Sequence, residues 1–326
     1  MTPPPPAPQP SAEAGEPKPK VIYVMGSGRC GSTILGVTLG NCEGMFFVGE
    51  LDRWLPTNGT PVLGGVERTR FWNKVRAQVE VEPNVLGEEA RDSLERALGP
   101  LRVSKWPGRR RLRRRYRATM ENLYRAIARV GSATHIVETS HFPLRASELK
   151  GIDGIDVYLL FLVRHPQSVL ESFTKTVKRN DLAGRYRRIL TTNADLWVTH
   201  LLSMFVFLRQ PADKRLFMHY EDFTADPQSV LRQILDLSGS PAAIPDLTHL
   251  ETGYAMGGNR LLRSEVVALK GETPKPAKVE PLTALLQAPL TAMMARMRPV
   301  AEVSSGPTSP AGAPVGSAGR ADDLHA

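Results

Sequence analysis

The chain has 326 residues, 41% hydrophobic and 23% charged, an ordinary balance for one large globular domain with tails that excludes a fibrous or wholly disordered protein. A net charge of +9 favours anionic partners: nucleotide, nucleic acid, acidic substrate or membrane surface. The two cysteines, Cys30 and Cys42, have no Cys/His cluster around them, so a disulfide framework and a zinc site are excluded and a reducing, cytoplasmic setting is expected.

The first 20 residues carry eight prolines and no apolar core of a secretory signal, so residues 1–19 read as a disordered Pro-rich tail. Val21–Met25 is the first expected strand, followed by a glycine-rich turn and a helix over Ser32–Leu39. Gly26, Gly31 and Thr33 fit the phosphate-binding spacing G-x-x-x-x-G-K-[ST], but Ser32 stands where the lysine belongs. A strand, glycine turn and helix N-terminus offer backbone N–H groups and a positive dipole end to an anion. Ser32 and Thr33 add hydroxyls, and Arg29 adds one cation. A kinase or NTPase uses the missing lysine on the β/γ-phosphates, so this cradle suits a shorter anion. Cys30 reads as a small loop-filling residue rather than a reactive thiol.

Met45–Val48 is the second strand, and Glu50 lies just beyond it, beside the glycine-rich loop if the sheet is parallel. Residues 67–130 form a helical insertion. Within it Leu112, Tyr116, Met120, Leu123, Ile127 and Val130 recur at helical spacing, which leaves a basic outer face. The run GRRRLRRRYR holds seven arginines between Arg109 and Arg117. It reads as the solvated face of that helix, with Leu112 and Tyr116 turned inward. In a functional role it would draw an acidic acceptor or an anionic membrane surface, and no nucleic-acid recognition motif accompanies it.

His135–Glu138 and Val157–Val163 follow; the latter, apolar on both faces, is an interior parallel strand. Arg164 at its end and Ser172 in the helix Pro166–Lys178 aim a guanidinium and a hydroxyl into one crevice, a second anion site. Taken alone, Arg164 reads as a strand-end arginine paired with a carboxylate. A core helix over Asn193–Leu208 carries an apolar run too short to span a bilayer. Strand Leu216–His219 and helix Pro227–Leu237, capped by Asp226, complete the pattern before a Gly/Ser/Pro/Ala-rich tail over 301–326. The alternation predicts a P-loop-type three-layer α/β/α domain over residues 20–300, with a central parallel sheet and its site at the strands' carboxyl ends.

Five stretches together resemble the PAPS-dependent sulfotransferases. Residues 21–41 resemble the family's 5′-phosphosulfate loop, and 157–173 its 3′-phosphate strand and helix, with Arg164 and Ser172 at the family spacing. HIVETSHFPLR resembles the bacterial VVDSSKxPxR element, FMHYEDFTADPQSVLRQILDLSG the family's RYEDLxxDPxxxLRxILxFLG, and GGNRLLRS its GNPxR loop.

The resemblance implies a donor, 3′-phosphoadenosine 5′-phosphosulfate, that has no γ-phosphate for a lysine to hold. It further implies donor binding by Gly28, Arg29, Cys30, Gly31, Ser32, Thr33, Arg164, Ser172 and Asn259, together with Arg260 or Arg263, between which the family spacing falls. Arg29 would also stabilise the leaving group, and no metal is needed. Glu50 matches the catalytic base of related carbohydrate sulfotransferases, with Asp52 a close competitor. His141 departs from the pattern, standing where the bacterial element has lysine, and is a further candidate base or leaving-group acid. His165 reads as a turn residue and His200 as a satisfied core histidine. The expected acceptor is a small molecule, carbohydrate or lipid, through a hydroxyl rather than an amine. A nucleotide kinase and a non-catalytic basic module are the competing readings.

Overall fold

The computed structural model describes residues 17–96, 106–175, 182–269 and 281–297. Residues 1–16, the tail at 301–326 and Lys178 lie outside these ranges. Five strands, β1 (Lys20–Gly26), β2 (Met45–Gly49), β3 (His135–His141), β4 (Asp156–Val163) and β5 (Arg215–His219), form one parallel sheet in the order β2-β3-β1-β4-β5. Each coincides with an expected strand. The largest difference is at β3, which runs on to His141 because its last residues pair with β1.

Helix α1 (Ser32–Gly40) leads from β1 to β2. The insertion between β2 and β3 holds α2 (Trp54–Thr57), α3 (Val66–Gln78), α4 (Glu88–Leu94) and α5 (Trp106–Val130). Helix α6 (Pro143–Leu149) precedes β4, and α7 (Pro166–Thr174) and α8 (Leu182–Leu208) follow it. After β5 come α9 (Tyr220–Ala225), α10 (Pro227–Ser238), an antiparallel pair β6 (Leu250–Glu251) and β7 (Val266–Val267), and α11 (Pro281–Ala295).

Side chains alternate across β1. Val21, Tyr23 and Met25 pack against the layer that holds the insertion and α8, whereas Ile22 and Val24 face the cluster built with α1 and α10. Beyond Asp156 all of β4 is buried, as its unbroken apolar run requires. Each such Leu or Phe contributes roughly 1.5–3 kcal/mol by leaving water. Pro166 and Pro227 open α7 and α10, and Asp226 Oδ1 accepts from the Ser229 amide at 3.0 Å, the expected cap.

Three expectations need correction. Helix α8 begins at Leu182, not Asn193, because its basic first turns carry none of the apolar periodicity that marks the rest. Helix α7 stops at Thr174 within the described residues. The arginine run is not simply a solvated face. Leu112, Tyr116, Met120, Leu123 and Ile127 are buried as expected, but Arg109, Arg113 and Arg117 converge on Glu148 of α6 at 3.3, 2.9 and 3.0 Å. Spaced four residues apart, they share one stripe of α5, and α6 packs against it.

Candidate functional site

The strand order sets the carboxyl ends of β2, β3, β1 and β4 side by side, neighbours about 4.8 Å apart. Glu50, His141, the loop 27–31 and Arg164 therefore form a row along that edge. Glu50 was expected beside the loop itself. Instead β3 lies between them, and His141, paired in register with Met25, is the nearer neighbour of the loop. Strand order depends on long-range packing, which spacing along the chain does not encode.

The loop conformation is forced by its surroundings. A Cβ at Gly26 would collide with the Leu162 carbonyl, and one at Gly31 (φ 97°) with the Tyr220 ring. Arg29 itself adopts φ 66°, in the left-handed region. Its Nη1 lies 3.4 Å from Asn259 Oδ1, and its guanidinium carbon is 5.9 Å from the Phe173 ring centroid. Arg164 donates from Nη1 to the Arg29 carbonyl at 3.3 Å and stacks on Tyr220 at 4.6 Å. The two guanidinium groups thus meet at one loop. Ser172, half-buried on α7, precedes Phe173. Ser32 is buried and Thr33 half-buried at the start of α1. Burial pushes the Cys30 thiol up from its ordinary range, and its sulfur packs in the core cluster under α1, as a loop-filling residue would.

Glu50 is held by its backbone: its amide donates to the Gly257 carbonyl at 2.9 Å. Residues 256 and 257 run alongside β2, with Met256 N bonded to the Val48 carbonyl, so one loop both pins Glu50 and presents Asn259 to Arg29. The Glu50 carboxylate pairs with Arg53 at 3.3 Å and remains partly exposed. Asp52 is no competitor for proton transfer. It is buried, and its Oδ2 is held by Arg91 Nε and Nη2 at 3.0 and 2.8 Å. His141 Nδ1 lies 2.8 Å from the Thr139 carbonyl; since a carbonyl only accepts, Nδ1 carries the proton and Nε2 is the basic nitrogen.

Other residues settle differently. His165 is the N-cap of α7, its Nδ1 accepting from the Gln167 amide at 3.3 Å, and its own amide donates to Glu221 Oε1 at 2.9 Å. His200 is buried and held neutral, its pKa pushed down to about 4 by burial. It is not satisfied as expected: neither ring nitrogen has a hydrogen-bond partner among the described residues. Arg260 follows Asn259, whose Oδ1 accepts the Arg260 amide at 2.6 Å. Arg263 is placed elsewhere, lining a cavity of about 990 Å³ with Gly40 at the far end of α1 and with Arg68 and Glu251.

Phe173, Tyr220 and Glu221 also shape this edge; Tyr220 and Glu221 belong to the FMHYEDFTADP stretch, but sequence reasoning gave neither a place in the site. Behind it lies a second group that sequence reasoning missed. Arg145, Glu138 and Glu95 are fully buried, with Arg145 Nε on Glu138 Oε1 at 2.5 Å and a further pair between Arg145 and Glu95. Tyr124 and Ser140 donate to Glu138, and Tyr116 to Glu95 at 2.8 Å. The Ser140 hydroxyl accepts from the Asp52 amide at 3.1 Å, which fixes the turn that follows Glu50. The edge as a whole combines loop amides, two arginines and hydroxyls able to bind oxyanions with two proton acceptors, Glu50 and His141.

Comparison with known proteins bears on this chemistry. A family model described as "Sulfotransferase family" matches residues 19–243. No curated protein matches the chain. Among solved structures, the sulfotransferase domain of the Synechococcus PCC 7002 olefin synthase is 19% identical, the match covering 85% of this chain and 96% of that one, with a TM-score of 0.48. The sulfotransferase domain of the curacin biosynthetic pathway is 16% identical over 84% and 98%, with a TM-score of 0.45. A sulfotransferase from Alicyclobacillus acidocaldarius is 16% identical over 86% and 92%, with a TM-score of 0.37.

Proposed function

The chain belongs to the sulfotransferase family, and from that premise we propose that it moves a sulfuryl group from 3′-phosphoadenosine 5′-phosphosulfate to an acceptor hydroxyl. The observation that carries this reading is the meeting of Arg29 and Arg164 at one loop, with Asn259 brought to the same place. A donor with phosphate groups at two separated positions needs two such cations. A nucleoside triphosphate needs instead the lysine that Ser32 replaces.

The residues present fit that donor. The crowded loop leaves no room for side chains at Gly26 and Gly31, which keeps its amides open to an anion. Arg164 Nε is buried with no partner among the described residues, a donor that a bound phosphate would satisfy. In this scheme Arg29, Ser32, Thr33 and the amides of Gly28, Cys30 and Gly31 hold the 5′ side and stabilise charge on the leaving phosphate. Arg164, Ser172, Asn259 and Arg260 take the 3′-phosphate. Glu50 accepts the proton of the acceptor hydroxyl, oriented by its backbone bond to Gly257. The register pairing of His141 with Met25 favours a second assignment, in which His141 Nε2 takes that proton. The scheme calls for no metal.

Titration with 3′,5′-adenosine bisphosphate, ATP–Mg²⁺ and a short DNA duplex at one salt concentration tests the class. The bisphosphate is expected to bind tightest; preference for ATP would make this a kinase, and preference for DNA a binding module. Glu50→Gln is expected to keep bisphosphate affinity while lowering sulfuryl transfer by about 100-fold or more. Unchanged turnover in Glu50→Gln with collapse in His141→Gln would move the base to His141.

A further inference from the structure

Helices α5, α6 and α8 pack in sequence within one layer of the domain. Their outer side joins two features that the proposed reaction does not use. The first is charge. Arg109, Arg113 and Arg117 share the single carboxylate of Glu148, leaving two positive charges uncompensated among the described residues. Arg110 and Arg114, on the outward side of α5, are exposed and meet no carboxylate among the described residues. Basic residues continue from α5 toward α8. Arg117 Nη1 donates to the Gly151 carbonyl at 3.1 Å, and the neighbouring Lys150 donates to the Val206 carbonyl at 3.4 Å. Lys150, Arg209 and Arg215 then crowd the C-terminal end of α8. Burial, followed by those two arginines, pushes the Lys150 ammonium below its ordinary pKa. Three cations on the last carbonyls of one helix match its dipole, which explains their position but not the uncompensated charge. Asp153, exposed in the turn after α6, is a nearby carboxylate.

The second feature is apolar. Leu201, Phe205 and Leu208 lie on one side of α8, spaced four and three residues apart, and are 40%, 55% and 55% exposed. Leu190 and Tyr186 continue the stripe toward the start of the helix. The Arg209 guanidinium lies over the Phe205 ring, so cation and apolar surface touch directly. Among the described residues no helix is long and apolar enough to cross a membrane.

We propose that the α5–α6–α8 side is a docking surface for an anionic lipid bilayer, with α8's Phe205 and Leu208 entering the interface and the arginines of α5 on the headgroup phosphates. Charge complementarity selects this occupant. A second copy docked across a two-fold axis would bring the Lys150–Arg209 cations against their own kind. A nucleic acid would meet the arginines but gives Leu201, Phe205 and Leu208 nothing apolar to bury against. An acidic bilayer satisfies both features, with roughly 1 kcal/mol per basic residue near the surface added to apolar burial.

The test is sedimentation of the full chain with vesicles of phosphatidylcholine alone and of phosphatidylcholine with 30–40% phosphatidylglycerol, roughly physiological in surface charge. Binding to the acidic vesicles only is expected, weakening as salt is raised. Arg110→Glu with Arg114→Glu should weaken it about tenfold or more. Phe205→Ser with Leu208→Ser should weaken it at both low and high salt. Neither pair touches the Glu148 cluster or the proposed donor site, so far-UV circular dichroism, melting temperature and bisphosphate affinity should stay at parental values. Equal binding to both vesicle types, no binding to either, or indifference to the double charge reversal would overturn the proposal. So would a dimer in sedimentation equilibrium that Leu208→Ser dissociates, or short DNA displacing the acidic vesicles.

Discussion

Two arginine–carboxylate clusters stand on the same side of the sheet and follow opposite rules. In the interior one, Arg145 alone serves two carboxylates, Glu138 and Glu95, and all three are fully buried. In the outer one, three arginines serve one carboxylate, Glu148, and the Arg113 and Arg117 side chains are 40% and 32% exposed. A surplus of negative charge in the interior favours proton uptake. Burial pushes Glu95 up to about 7, against the pull of Arg145, and its Oε2 is buried with no hydrogen-bond partner among the described residues. A surplus of positive charge at the surface is tolerated, because solvent screens it. The first arrangement fixes structure. The second leaves charge available to a partner.

The contrast breaks hardest at Arg145. Arg145→Met removes the one cation from between two buried carboxylates, and the loss is expected to be about 3–5 kcal/mol in denaturant unfolding, independent of salt. Glu138 also holds Ser140, which holds the Asp52 amide next to Glu50, so the variant should lose sulfuryl transfer as well. A loss below about 1 kcal/mol would show that the interior pair is screened like a surface one.

Glu95 sharpens the comparison through pH. Its folded pKa of about 7 lies above the ordinary value near 4.3, so between those limits the unfolded chain releases a proton that the folded chain keeps. Its contribution to stability is complete below pH 4 and is lost as pH rises through 7. Glu95→Gln mimics the protonated form. It should come within about 1 kcal/mol of the parent at pH 4.5 and exceed it by about 3–4 kcal/mol at pH 8, read as a shift in the midpoint of unfolding. His200 acts in the opposite sense. With a folded pKa of about 4, its contribution is present above pH 6.5 and lost on acidification, so it adds to the acid limb of the same profile.

Much of this molecule was legible before its structure. The interior strands β1 and β4 announce themselves because parallel interior strands are short apolar runs, as LLFLV within β4 shows. The loop at 26–33 and Arg164 are legible because glycine spacing and a strand-end cation follow from local geometry. What the chain hides is whatever depends on distant partners. Glu95 meets Arg145 across 50 residues and Glu148 meets Arg109 across 39, and no periodicity links them. The same limit placed Glu50 one strand too near the loop, left Asp52 a candidate base although Arg91 claims it, and left Arg263 a candidate donor ligand although it lines another cavity. A buried ion pair and a catalytic carboxylate look alike in sequence; only burial and partners separate them.

The smallest effect belongs to the outer cluster. Arg113→Ala leaves Arg109 and Arg117 on Glu148, and Arg113 is 40% exposed at its side chain, so solvent already discounts its pair. The expected loss is under about 1 kcal/mol, and it should shrink further in 1 M salt, where screening falls to about 3 Å. Urea unfolding of the parent, Arg113→Ala and Arg145→Met at low and high salt reads both clusters in one experiment. A salt-insensitive loss of several kcal/mol at Arg113 would mean that the three arginines are a structural unit, with all their charge committed to Glu148 and none left over for a partner.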